Sequence, residues 1–98
     1  MAVHVLALTV ELHLPQSTSL KDKRAVLKTV AEGARRRFRV AAAETDHHDR
    51  RQRSELAFAT VSSSRTHAVE TIDRVERFVW SFPELEVLSG SRHWLELD

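Results

Sequence analysis

Between residues 3 and 14 the apolar side chains alternate with a period of two. Leu6, Leu8, Val10, Leu12 and Leu14 share one parity, and Val3, Val5, Ala7, Thr9, Glu11 and His13 share the other. That period is a strand's, because successive Cβ atoms point to opposite faces of a sheet. The first set is a core face. The second is only partly polar, which predicts a central strand whose outer face is not fully wet.

The strand stops at Pro15, whose fixed φ and missing N–H suit a strand end. Ser19 then stands where a helix N-cap belongs, with Asp22 three residues on, a near capping box worth about 1 kcal/mol. Leu20, Leu27, Val30, Ala31 and Ala34 recur at helical spacing, so a helix is predicted over 20–37. Lys21, Lys23, Arg24 and Lys28 are read as lying off that stripe, on the solvent side of the helix start. An anion there would meet side-chain charge and unpaired amide donors together. Gly33 inside this helix costs roughly 1 kcal/mol relative to Ala, which invites a close-packing reason.

A short alanine-rich strand is predicted over 38–45, a polar loop over 46–52, and a third strand over 53–61 with Leu56, Phe58 and Thr60 on its inner face. Strand, short loop and strand read as a hairpin. The serine run 62–64 offers the cap of a second helix, carried by Ala68, Val69, Ile72, Val75, Phe78, Val79 and Phe82 and stopped by Pro83. A last strand over 86–97 is expected to bend or bulge at Gly90. Trp80, Phe82 and Trp94 are expected to cluster near the end of the second helix. Strand, helix, strand, strand, helix, strand with right-handed crossovers gives an α+β, ferredoxin-like sandwich, an antiparallel four-stranded sheet with two helices on one face. Residues 1–98 are expected to form one such domain. Ala7, Ala41, Ala43, Ala57 and Ala59 would share the face away from the helices. Small side chains there would let a second copy of the chain pack closely.

Composition narrows the chemistry. Cysteine is absent from the 98 residues, so disulfides and thiolate metal sites are excluded. No apolar run reaches the ~18 residues of a membrane span, and the first residues read as structure rather than as a signal peptide. The expectation is a cytoplasmic protein without a membrane role. Net charge is +1, so a nucleic-acid role must rest on where the cations gather. Arg35, Arg36, Arg37, Arg39, Arg50, Arg51 and Arg53 bracket the second strand, and guanidinium forks match phosphate geometry. The plain alternative is a solvated face with cations suited to a helix C-terminus.

Other constellations are weaker. An RRM-like module has this strand order and stacks bases on aromatics of its central strands. Here the first strand has no aromatic and the third has only Phe58, placed inward, so contact to backbone or shape is expected instead. Asp46, His47, His48 and Asp49 have donor types suited to a divalent metal, but adjacent loop positions rarely converge on one ion, and turn-capping aspartates explain them better. No nucleophile elbow, P-loop or dinucleotide fingerprint occurs. No catalytic residue, cofactor or metal ligand is assigned.

His13-Leu14-Pro15, the run Ser19-Leu20-Lys21-Asp22-Lys23-Arg24, then Ala43-Glu44-Thr45-Asp46 with Asp49 and Gln52, and Val61-Ser62 resemble the YlxP-like family, a small bacterial family catalogued as a domain of unknown function. The likeness spans nearly the whole chain. It implies a ferredoxin-like fold. Its members typically sit beside translation-initiation and ribosome-maturation genes, which implies a cytoplasmic role near the ribosome. It brings no reaction and no catalytic residue.

The reading placed first is a non-enzymatic RNA- or ribosome-associated factor, contacting phosphate through Lys21, Lys23, Arg24 and Lys28 with Arg50, Arg51 and Arg53. Behind it stands a homodimeric scaffold joined through the outer sheet face, and last a metal-dependent enzyme using the 46–49 loop.

Overall fold

The computed structural model describes residues 2–97. Its elements follow in the order β1 (Val3–His13), α1 (Leu20–Phe38), β2 (Ala41–Asp46), β3 (Arg53–Ser62), α2 (Arg65–Trp80) and β4 (Glu86–Leu97). The strands form one antiparallel sheet in the order β2-β3-β1-β4. This is the ferredoxin-like α+β arrangement that the alternation and spacing predict. β1 is central, as its two part-apolar faces require. Leu6, Leu8, Val10 and Leu12 are at most 1% exposed, and they meet Leu27, Val30 and Ala34 of α1 and Ala68, Ile72, Val75 and Val79 of α2 in one core.

Local signals set most element ends. Ser19 is extended, and its hydroxyl accepts from the Asp22 N–H at 3.0 Å. Ser64 does the same for α2 through the His67 N–H at 3.2 Å. α1 runs one residue further than predicted and β2 starts at Ala41 rather than 38. Phe38 stays helical, its ring edge-on to Phe78 at 5.6 Å, and Arg39 ends the helix in the left-handed region at φ 56°. α2 ends at Trp80, before the apolar Phe82, with the Ser81 N–H bonded to the Phe78 carbonyl and the Phe82 N–H to that of Val79.

Three expectations are corrected. The β4 irregularity is not at Gly90, which pairs regularly with Val10; the register breaks between Ser89, opposite Glu11, and Val87, opposite Leu12. The extra residue, Leu88, is half exposed. A bulge there switches parity, so that Val87 as well as Trp94 turns toward the core. The aromatic cluster is Phe38, Phe78 and Phe82, with Phe78 and Phe82 edge-on at 5.0 Å. Trp94 instead stands edge-on to His4, with the Arg65 guanidinium 3.9 Å above its ring, and Trp80 is 63% exposed. The third concerns Lys23, described below. Gly33, by contrast, has a packing reason: a Cβ there would lie 2.6 Å from the Phe78 ring.

Outside the helix layer, Ala7 pairs with Ala59 and Ala59 with Ala41, while Thr9, Ala57 and Ala43 form the next row. Val61, Leu95 and Leu97 extend this apolar face, each more than half exposed. Among the described residues no element covers it, and no helix is long and apolar enough to cross a membrane.

Candidate functional site

α1 begins at the end of the sheet where β1 and β2 finish and β3 starts, so the helix start and the β2–β3 loop share one end of the molecule. Their junction is Lys23, which is fully buried. Its Nζ donates to the carbonyls of His47 at 2.7 Å and Arg53 at 3.2 Å, lies 3.0 Å from Glu44 Oε2, and has a longer contact to the His48 carbonyl at 3.4 Å. An ammonium carries three N–H donors, and these partners occupy all of them. Glu44 Oε2 also accepts from the Ser54 hydroxyl at 2.8 Å.

Lys23 is therefore not one of the solvent-facing cations. The reason is in the spacing. Position 23 lies three residues after Leu20 and four before Leu27, on the buried stripe itself. Glu44 gives the matching signal. It shares parity with Ala42, which packs on the core, and lies opposite the buried Leu56. A carboxylate on the inner face of a strand calls for a buried cation. A bulge at Thr45, between the Glu44–Leu56 and Asp46–Glu55 pairs, then lets the chain leave the sheet.

The loop is fastened at further points. The Gln52 carboxamide donates to the Pro15 and Ser17 carbonyls at 3.3 and 3.1 Å, and the Gln52 carbonyl accepts from the Leu14 N–H at 2.9 Å. His47 sits in the left-handed region at φ 62°. Its N–H is held by Asp46 Oδ1 at 2.7 Å, and its Nε2 lies 3.1 Å from Glu11 Oε2. Arg53 Nη2 approaches the same Glu11 oxygen at 3.4 Å, while its Nε is buried without a partner. His13 Nδ1 meets Glu86 Oε1 at 2.5 Å. Thr18 donates to Asp22 Oδ2 from its hydroxyl at 2.6 Å and its N–H at 3.1 Å, and these bonds, with that of Ser19, hold the Asp22 carboxyl below its ordinary range.

The other predicted contact residues separate into two groups. Lys21, Arg24 and Lys28 on α1 are exposed, as are Arg50 and Arg51 in the loop, and none of the five is ion-paired among the described residues. Arg53 is half-buried against Glu11. The arginines bracketing β2 are likewise divided. Arg50, Arg51 and Arg53 stand at the α1 start, whereas Arg35, Arg36, Arg37 and Arg39 stand at the far end of the sheet. The side chains of 46–48 also go separate ways: Asp46 to a backbone N–H, His47 to Glu11 and His48 to the Glu44 carbonyl. Among the described residues no group of three His, Asp or Glu side chains is placed to hold a metal ion.

Nearly every residue that carries the motif resemblance thus lies in or beside this clasp. A relative from Bacillus subtilis (strain 168), described as the uncharacterized protein YlxP, is 40% identical over 76 residues, which span 78% of this chain and 83% of the relative. The family model described as "Protein of unknown function (DUF503)" matches residues 5–92, from near the start of β1 into β4. With the clasp, both helices and most of the sheet inside that match, the chain belongs to the DUF503 family.

Proposed function

We propose that the protein is a non-enzymatic RNA-binding factor that grips the phosphate backbone at the end where α1 begins. The observation that carries this reading is the fastening of the β2–β3 loop to the α1 start by Lys23 and Gln52. It puts exposed Arg50 and Arg51 at the same end as exposed Lys21 and Arg24, with Lys28 one turn along. Lys23 drops out of the contact set, and Arg53 has a weaker claim because Glu11 engages it. The outer faces of β1 and β3 carry no phenyl, phenol or indole ring for a base to stack on, and the one imidazole there, that of His13, is engaged by Glu86, so recognition is of backbone and shape rather than sequence. The gene neighbourhood implied by the family resemblance favours an RNA of the translation apparatus.

The test is fluorescence anisotropy of a labelled single-stranded RNA over a salt series, comparing the wild type with Lys21→Ala/Arg24→Ala/Arg50→Ala/Arg51→Ala. Loss of four phosphate contacts should flatten the log–log salt slope by about 3. Unchanged affinity and slope would remove this surface from the account.

A second reading rests on the outer sheet face. Rows of alanine flanked by exposed Val61, Leu95 and Leu97 suit burial against a second copy. Ala57→Glu should convert a sedimenting dimer to monomer, and a wild type that is monomeric at high concentration rules this reading out.

A further inference from the structure

The opposite end of the molecule carries a separate cationic cavity, of about 180 Å³, lined by Arg37, Phe38, Arg39, His67, Thr71 and Arg74. Residues 67, 71 and 74 form one stripe of α2, and residues 37–39 are the turn that ends α1. No acidic residue lines the cavity. Arg37, Arg39 and Arg74 have no carboxylate partner among the described residues. Arg37 lies over the Phe78 ring, 4.9 Å from its centroid, so one guanidinium is held at the rim by an aromatic face. Thr71 is 8% exposed, and its hydroxyl makes no hydrogen bond among the described residues, although it is not sealed off as a buried unsatisfied atom.

The α1 dipole explains cations on its last turn. It does not explain Arg74, which comes from the other helix. Three exposed like charges border one small cavity with no carboxylate among its lining residues, an arrangement that favours an anion. The volume is below the roughly 300 Å³ at which pockets begin to hold whole small molecules, so the fitting guest is a compact oxyanion.

We propose that this cavity is a phosphate-binding site, in which Arg37, Arg39 and Arg74 fork onto the oxygens of an inorganic phosphate or of a terminal phosphate monoester, with the Thr71 hydroxyl as a further donor. It is a different surface from the proposed RNA-binding end and does not depend on it.

The test is an NMR amide titration of the full chain at constant ionic strength, with inorganic phosphate in one arm and adenosine 5′-monophosphate in the other. Saturable shifts centred on residues 37–39 and 67–74 are expected. Arg74→Gln should weaken binding at least tenfold, and Arg74→Lys, which keeps the charge but loses the fork, should fall between. Arg39→Asn removes a second cation with a residue that tolerates the left-handed backbone, and should weaken binding comparably. Equal affinities would assign the site to the free ion, and tighter binding of the nucleotide to a phosphorylated end. Shifts that do not saturate, that centre on Arg50 to Arg53, or that survive both Arg74→Gln and Arg39→Asn would overturn the proposal. Arg74→Gln should leave RNA affinity unchanged, which separates failure here from failure of the RNA reading.

Discussion

The two ends of the sheet use cations in opposite ways. Where α1 starts, Lys23 is fully buried, and its donors are taken up by backbone carbonyls and Glu44. Where α1 finishes, Arg37, Arg39 and Arg74 border a cavity with no acidic lining. Each end is rich in positive residues, yet at the α1 start one of them, Lys23, is a buried structural fastener, whereas at the far end Arg37, Arg39 and Arg74 are all exposed and have no carboxylate partner among the described residues. Counting charges along the chain cannot separate these roles. What separates them is whether a position falls on the buried stripe of its helix and whether a carboxylate faces it.

The widest gap should come from substituting a cation at each end. Lys23→Met leaves Glu44 and two or three carbonyls without their donor, and should lower unfolding free energy by about 3–5 kcal/mol in denaturant titrations. Arg74→Gln at the other end should stay within about 0.5 kcal/mol of wild type. Similar losses from the two would erase the contrast. A smaller effect is expected from Ser19→Ala, about 1 kcal/mol, since it removes a cap but leaves the Lys23 contacts in place. A loss as large as that of Lys23→Met would mean that the cap, not the clasp, anchors the helix start. The mildest is a pH effect. The Thr18 hydroxyl and N–H depress the Asp22 carboxyl, so its contribution to stability is present above the ordinary value of about 3.9 and is lost as pH falls through the lowered one. Asp22→Asn should therefore flatten the acid limb of a stability profile and leave its neutral limb parallel to wild type. An unaltered acid limb would show that the Thr18 bonds do not form in solution.

Strand alternation in β1, the serine caps before both helices and the order of elements were legible in the sequence, because each is a local preference that tertiary packing reinforces. The outer alanine rows were legible for the same reason. Lys23 was not, because chemistry outweighed spacing in the reading: a lysine counts as solvent-facing unless its partner is seen, and Glu44 is 21 residues away. Glu44 on the inner parity of β2 was the available signal. The β4 bulge was obscured by Gly90, which looks like a kink, whereas the parity switch between Val87 and Trp94 records its true place. The cavity at the far end could not be read at all. Its lining joins the end of α1 to the middle of α2, and only the helix crossing, with Phe78 against Gly33, sets that meeting.

The clasp also limits how the chain can change. A connection between two hairpin strands ordinarily absorbs insertions and foreign peptides. Here the carbonyls of His47, Gln52 and Arg53 are acceptors for distant segments, so lengthening the chain on either flank would pull an acceptor off its donor. Room for grafted or drifting sequence narrows to the few positions around Asp49 to Arg51.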